Sequence, residues 1–250
     1  MNGDGRHEFD RVSCRMHGLC VEACPSGALE ASTTRISVEE ALGVVLRDAR
    51  YYRSSGGGMT LSGGEPLLQP AFTRALLAGA RARGVHTALD TCLSTSWQQV
   101  EALCDEVDVW LVDIKLMDSR RHEQFTGVPN DRILDNLQRL AGARRRLIWI
   151  RVPLIEGVNT DSANLAATAD FIEALPRVAR VDLLAYHGLG LDKRRALGED
   201  GPREFAAPAP GTGTALSTRL RARGIDVRDG TAPRRSTAAA AFPTAEGERA

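Results

Sequence analysis

Short apolar runs rich in β-branched residues alternate along this chain with amphipathic helical patterns, and this alternation limits the folds that it can adopt. The strand-like runs are residues 58–62, 85–91, 107–114, 147–152, 181–186 and 225–227. The helical patterns cover residues 37–52, 71–83, 97–104, 133–141, 163–175 and 215–223. Strands that are joined by crossover helices pair in parallel. The pattern therefore predicts an α/β fold built on one parallel sheet.

The predicted strands end in polar residues or in glycine. These ends are Ser62–Glu65, Asp90–Cys92, Asp113–Lys115, Arg151 and Tyr186–His187. Because the carboxyl ends of parallel strands form one rim, side chains that are far apart in sequence converge there. We expect the functional site at this rim. Asp113 and Lys115 could also form only an ion pair, since alternate residues share one face of a strand.

A cysteine-rich run near the start of the chain has the spacing of a metal site. The run Cys14-x2-His17-x2-Cys20-x3-Cys24-Pro25 matches the ferredoxin spacing C-x2-C-x2-C-x3-C-P in three of four ligand positions. His17 stands where the second thiolate would be, and imidazole is also a ligand for iron. Three cysteines and one histidine are equally an acceptable tetrahedral zinc set. The residues alone leave an iron–sulfur cluster and a zinc ion as alternatives.

Charge and composition exclude several classes of partner. The 32 basic residues balance 32 acidic residues, so no overall field favours nucleic acid or an anionic membrane. No segment approaches the roughly 20 apolar residues of a membrane span, and residues 1–10 lack a signal-peptide core. The odd number of cysteines is not typical of a secreted disulfide framework. The sequence predicts a cytoplasmic protein that binds neither nucleic acid nor a membrane.

Glycines flank the first predicted strand, at 56–58 and 63–64. A double glycine at the end of a strand lets a ligand approach the backbone closely, and the adjacent Glu65 can accept hydrogen bonds from an ammonium group. An ordinary turn between strand and helix is the alternative. Neither of the usual glycine-rich phosphate-binding patterns occurs at this point.

Seven motifs, in this order, resemble those of the glycyl-radical-enzyme activating proteins, a branch of the radical S-adenosylmethionine (radical SAM) enzymes. They are the Cys14–Pro25 run, the glycine-rich segment Ser55–Pro66, Leu89–Cys92, Val112–Lys115 with Met117, Phe125–Val128, Arg151–Pro153 and Leu184–His187. The resemblance extends over about residues 9–198. It implies a partial (β/α)6 radical SAM barrel whose cofactors lie at the rim.

The resemblance also implies an activity, cofactors and partners. In this family, one-electron reduction cleaves S-adenosylmethionine beside a 4Fe-4S cluster and gives methionine and a 5′-deoxyadenosyl radical. The radical abstracts hydrogen from a glycine of the partner, a glycyl radical enzyme. The implied electron donor is a protein such as flavodoxin or ferredoxin.

The motif positions imply the residues of the site. The implied cofactor-binding residues are Gly63, Gly64 and Glu65 at the methionine amino end, Asp90, Asp113 and Lys115 along the rim, Asp118, Ser119 and Arg120 in the adenosyl-binding stretch, and Arg151 and His187 as further contacts. The candidate metal ligands are Cys14, His17, Cys20 and Cys24. No residue of this chain is assigned a catalytic role.

Other residues receive simpler expectations. His86 and His122 are not accompanied by other candidate site residues and are predicted to lie on the surface. Cys104 lies in a helical pattern and is predicted to be in the core. Leu93 follows Thr-Cys at a position where the family usually carries glycine.

One family motif is missing from the sequence. The family carries a C-x3-C-x2-C loop after its first barrel strand, and that spacing does not occur in the 250 residues. We therefore expect a ferredoxin-like remnant over 1–34, a partial barrel lacking its first strand over 35–230, and a disordered tail over 231–250. Without that cluster site the chain is expected to be inactive, whether as a truncated or as a degenerate protein. The alternative is a non-catalytic or regulatory module that binds zinc or an iron–sulfur cluster through the four candidate metal ligands, so whether the chain is an enzyme stays open.

Overall fold

A single parallel sheet organises the protein. The structure is a computed structural model that describes residues 10, 13–31, 33–143, 147–191 and 204–232. The strands are β1 Gly58–Leu61, β2 His86–Thr91, β3 Val109–Asp113, β4 Leu147–Leu154, β5 Arg180–Ala185 and β6 Asp226–Asp229. They pair in chain order, and each neighbouring pair is parallel. The described sheet is open, with β1 and β6 at its two edges, which confirms the predicted α/β class and the partial barrel.

Three of the described helices precede β1, and the others connect successive strands. In the described residues the helices are α1 Leu19–Glu22, α2 Val38–Leu46, α3 Ala49–Ser55, α4 Pro70–Arg81, α5 Trp97–Glu101, α6 Ser119–Thr126, α7 Asp131–Gly142, α8 Ser162–Ala174 and α9 Thr214–Ala222. Two 3₁₀ turns, Pro66–Leu68 and Gly188–Gly190, follow β1 and β5. The helix predicted over 37–52 is in fact two helices, because the amides of Arg47 and Asp48 bond to carbonyls only three residues back and end α2.

Alternation along the strands separates an apolar face from a polar one. On β4, the side chains of Ile148, Ile150, Val152 and Leu154 are buried, whereas the residues between them are only half-buried. The buried set belongs to one core cluster with apolar residues of α4, α7, α8 and α9. Each such side chain stabilises the fold by about 1.5–3 kcal/mol through burial. The helices therefore cover one face of the sheet, and the polar residues of the strands lie on the other.

The ends of the chain bear on the predicted domain limits only in part. Thr231, in the predicted tail, is buried, and its amide and hydroxyl donate hydrogen bonds to Asp229. The rest of that tail, 233–250, lies outside the described residues. Within the described part of the chain, no helix is both long and apolar enough to cross a lipid bilayer.

Candidate functional site

Arg151 stands at the centre of the rim and joins two neighbouring strands. The sheet register places Arg151 of β4 opposite Asp113 of β3. Its Nε lies 2.8 Å from Asp113 Oδ1, and its Nη1 lies 2.9 Å from Asp90 Oδ2 at the end of β2. Its Nη2 contacts both carboxylates as well. One planar guanidinium therefore orients two carboxylates that are 23 residues apart in the sequence.

The charges of this network are held in place by one another. Burial alone would lower the pKa of Arg151, but Asp113 and Asp90 outweigh that effect and raise the pKa. Lys115 Nζ lies 3.7 Å from Asp113 Oδ2, and two fifths of the Lys115 side chain is exposed. Two carboxylates and two cations cancel in formal charge. Of the two cations, Lys115 has the more exposed side chain and is the more accessible to a ligand.

The glycine pair after β1 exposes its backbone at the same rim. Gly63 and Gly64 have φ values of 98° and 57°, which L side chains rarely adopt. Both glycines are exposed, and a Cβ built on either of them would have no neighbour within 4 Å. A ligand can therefore reach the backbone N–H and C=O groups of this turn directly.

Glu65 is bonded mainly to the protein itself. Its Oε1 accepts hydrogen bonds from Leu67 N at 3.0 Å and from Thr91 Oγ1 at 2.7 Å, and its Oε2 accepts one from Cys92 N at 2.8 Å. A carboxylate offers about four lone-pair sites. Glu65 therefore ties the glycine turn to the end of β2.

Two further residues were expected at the rim but were not among the implied cofactor-binding residues. Ser62 Oγ donates to Asp90 Oδ2 at 3.0 Å, and it joins β1 to the carboxylate that Arg151 holds. Cys92 is half-buried, and burial together with Glu65 raises the pKa of its thiol to about 11. The Cys92 thiol is therefore neutral at pH 7. The signal for Ser62 was its place between strand and glycine pair, where a hydroxyl faces the rim.

The predicted adenosyl-binding stretch begins α6. Asp118 Oδ1 accepts a hydrogen bond from Arg121 N at 2.8 Å and caps the helix. Ser119 Oγ donates to Asp131 Oδ2 at 2.6 Å, and Arg120 is exposed. His187 is exposed two residues after the end of β5, directly before the second 3₁₀ turn. The described contacts do not connect these four residues to the Arg151 network.

The candidate metal ligands near the start of the chain are not gathered in the structure. Cys14 and Cys24 are half-buried, Cys20 and His17 are exposed, and the three cysteines form no disulfide. Among the described residues, no three His, Cys, Asp or Glu side chains lie together in an arrangement for a metal ion. Hydrogen bonds from the Ser26 side chain and the Leu29 backbone lower the pKa of the Cys24 thiol to about 7. The donor types suit iron or zinc, and the metal centre stays a prediction.

The two isolated histidines behave differently. His86 is exposed, as predicted, and lies 4.0 Å from Asp108. The prediction for His122 was wrong, because only 3% of this residue is exposed. Its Nδ1 lies 2.7 Å from Val128 O and 3.0 Å from Thr126 Oγ1, so the turn after α6 folds back over the ring. Cys104 is half-buried and packs against the core, near its predicted place.

Comparison with known proteins gives a consistent set of relatives. A family described as the Radical SAM superfamily matches residues 24–169. The isethionate sulfite-lyase activating enzyme of Nitratidesulfovibrio vulgaris is 43% identical over 203 residues, which cover 80% of this chain and 65% of that protein. The pyruvate formate-lyase-activating enzyme of Staphylococcus aureus is 37% identical over 205 residues, 79% of this chain and 81% of its own.

Another relative and a solved structure extend the comparison. The benzylsuccinate synthase activating enzyme of Thauera aromatica is 37% identical and covers 92% of this chain and 71% of its own length. A domain of the pyruvate-formate lyase-activating enzyme from Bacteroides vulgatus matches with a TM-score of 0.59 and 35% identity, over 70% of this chain and 99% of that domain. This chain spans only 64–65% of the length of the isethionate sulfite-lyase activating enzymes that it matches.

Proposed function

Because this chain belongs to the radical S-adenosylmethionine superfamily, we propose that its rim binds S-adenosylmethionine and that the protein acts in the activation of a glycyl radical enzyme. The observation that carries the proposal is the Arg151 network, with Lys115 at its open side and the exposed glycine pair beside it. The relatives named above are activating enzymes for isethionate sulfite-lyase, benzylsuccinate synthase and pyruvate formate-lyase.

The charges of the rim suit this ligand. S-adenosylmethionine carries an ammonium and a sulfonium group against one carboxylate. The rim carries three carboxylates, on Glu65, Asp90 and Asp113, against the cations of Arg151 and Lys115. The site therefore has one net negative charge, and the ligand has one net positive charge.

Different residues of the rim would contact different groups of S-adenosylmethionine. The backbone of Gly63 and Gly64, together with the Glu65 carboxylate, would hold the ammonium end. Lys115 would donate to an anionic or hydroxyl oxygen of the ligand, and Asp90 and Asp113 would accept from its hydroxyl groups. Arg151 would keep both carboxylates in position, because its own donors are occupied by them. His187, Asp118, Ser119 and Arg120 are proposed as outer contacts.

The cluster that completes the family's chemistry does not fit the thiols of this chain. Beside a reduced 4Fe-4S cluster, S-adenosylmethionine supplies the radical chemistry that removes a hydrogen atom from a glycine of the partner. The five cysteines stand at 14, 20, 24, 92 and 104, and none of their spacings is C-x3-C-x2-C. We therefore propose that these 250 residues bind S-adenosylmethionine without cleaving it. A glycyl radical enzyme and a donor such as flavodoxin or ferredoxin are the proposed partners of the activating system.

Calorimetric titration with S-adenosylmethionine tests the binding. The chain should bind, and Asp113→Asn should weaken binding by about 10- to 100-fold, as for the loss of a hydrogen bond to a charged group. Asp108→Asn is the matched control, because Asp108 is also a carboxylate paired with an arginine but lies just before β3, at the opposite end of that strand. The control should bind like the unchanged chain. A folded chain that shows no binding at millimolar ligand would refute the proposal.

A metal-binding module is the alternative function. The spacing of the four candidate ligands, from Cys14 to Cys24, supports it. Zinc would take the three thiolates and His17 as a closed tetrahedral set. Metal and sulfide analysis of the protein as purified from zinc-containing medium, and again after anaerobic reconstitution with iron and sulfide, separates the possibilities. About one equivalent of zinc without sulfide would favour the module, whereas iron with sulfide and a brown colour would favour a cluster in the ferredoxin-like segment.

A further inference from the structure

The backbone of residues 115–117 crosses the rim with unusual hydrogen-bond partners. The described pairing of β3 with β4 ends at Asp113. Beyond it, Lys115 O accepts from Asn159 Nδ2 at 2.7 Å, and Met117 N donates to Asn164 Oδ1 at 3.0 Å. Leu116 O and Met117 O both accept from Asn130 Nδ2, at 2.7 and 3.0 Å. Asparagine side chains thus take the place that a neighbouring strand takes elsewhere in the sheet.

The three asparagines come from separate parts of the fold, and all are buried. Asn130 precedes α7, Asn159 follows β4, and Asn164 lies in the first turn of α8. Asn164 Nδ2 donates to Asn159 O at 2.9 Å, which links two of them directly. Asn159 also donates to Pro153 O at 2.6 Å and accepts from Ile155 N at 2.8 Å. A buried polar network in which the members bond to one another is rigid.

The chemistry of these positions is specific to an amide. Asn130 and Asn159 each direct an NH2 group at two carbonyl oxygens. An aspartate of the same shape would place carboxylate oxygens against those carbonyls and would lose both bonds. The amide group, more than the size of the side chain, therefore determines which residue these two positions require.

We propose that Asn130, Asn159 and Asn164 are positioning residues of the S-adenosylmethionine site, which they serve by fixing the backbone that carries Lys115. This inference rests on the proposed function of the rim. The lysine side chain is long and flexible, so its ammonium group meets a ligand reproducibly only if its Cα is held. A loose segment would have to be ordered at the moment of binding, and that cost would appear as lost affinity.

Calorimetric titration of variants with S-adenosylmethionine tests the inference. Asn159→Asp and Asn130→Asp should each weaken binding by about tenfold or more, the cost of one hydrogen-bonded contact to a charged group. Asn164→Ala removes the acceptor for the Met117 amide and the bond to Asn159 O, but it places no carboxylate against a carbonyl. It serves as the milder variant if either aspartate variant fails to fold. Leu220→Ala is the control for lost stability, because Leu220 is fully buried on α9, against α8 and β6. This variant should bind S-adenosylmethionine like the unchanged chain.

Hydrogen exchange at the Met117 amide provides a readout that needs no ligand. The amide should be protected in the unchanged chain and in Leu220→Ala, and it should exchange faster in Asn164→Ala. Unchanged exchange in Asn164→Ala would overturn the inference. Asparagine variants that bind as tightly as Leu220→Ala would also overturn it and would leave the proposed function standing. If the unchanged chain does not bind S-adenosylmethionine, the proposed function fails, and the positioning role fails with it.

Discussion

Leu93 combines a left-handed backbone with complete burial. Its φ is 58°, and its exposed fraction is 0%. The strained backbone costs about 1–3 kcal/mol, whereas removing a buried leucine side chain costs about 2–5 kcal/mol. Leu93→Gly should therefore lower the free energy of unfolding by about 1–3 kcal/mol, since lost burial outweighs relieved strain. Leu93→Ala keeps the strain and should be about 1 kcal/mol less stable than Leu93→Gly. Urea denaturation measures both, and an alanine variant more stable than the glycine variant would contradict the account.

Asp108 should make stability depend on pH in the acid range. Burial alone would raise its pKa, but the Thr87 amide, the Thr87 hydroxyl and Arg81 outweigh burial and lower the pKa below its ordinary 3.8. A lowered native pKa contributes stability above the unfolded value, and that stability disappears as the pH falls through the native value. The free energy of unfolding of the unchanged chain should therefore fall more between pH 5 and pH 2 than that of Asp108→Asn. Parallel curves for the two proteins would exclude this role.

At the scale of single residues, the sequence could place Asp90, Asp113 and Arg151 at one rim, because each is one of the last two residues of a predicted parallel strand. It could not show that one guanidinium joins both carboxylates, since that contact depends on the register of β3 against β4. The burial of His122 was hidden for a related reason. The turn that covers its ring is formed by residues after α6, and no local pattern shows that they fold back.

At the scale of the elements, the strands were predictable to within two residues because burial imposes apolar, β-branched runs on them. Helix α6 was missed, since Ser119–Thr126 is mostly polar and presents no apolar stripe. Its limits are set instead by Asp118 at its start and by Gly127, with φ 83°, at its end. Capping residues thus define the element where hydrophobic periodicity does not.

Substitution of Asp118 separates capping from ligand binding. Asp118→Ala should destabilise the protein by about 1 kcal/mol, since the Arg121 amide loses its acceptor. Asp118→Asn keeps an acceptor oxygen and should be nearly as stable as the unchanged chain. Chemical denaturation gives both values, and equal stability of all three proteins would show that the cap contributes nothing. If Asp118→Asn is stable but binds S-adenosylmethionine less tightly, its carboxylate has the ligand role that the family resemblance implies.

At the scale of the whole molecule, the open sheet determines how copies of the chain can meet. Within the described residues, β1 pairs with β2 on one side only. An unpaired parallel edge presents backbone N–H and C=O groups to another chain, and natural proteins often protect such edges with lysine. Thr60 is exposed on β1, whereas Leu189 is highly exposed but lies away from that edge, after β5.

We therefore expect the protein to self-associate through the edge of β1 as its concentration rises. Thr60→Lys should reduce the association several-fold, because a charged side chain on the edge strand opposes pairing with a second copy. Leu189→Lys adds the same charge elsewhere and should have little effect, which separates edge pairing from general apolar contact. Sedimentation velocity over a range of concentrations measures the association of all three proteins. A protein that stays monomeric at all concentrations, with a sharp thermal transition, would show that the β1 edge is already protected. An equal effect of the two lysine substitutions would assign the association to exposed apolar surface.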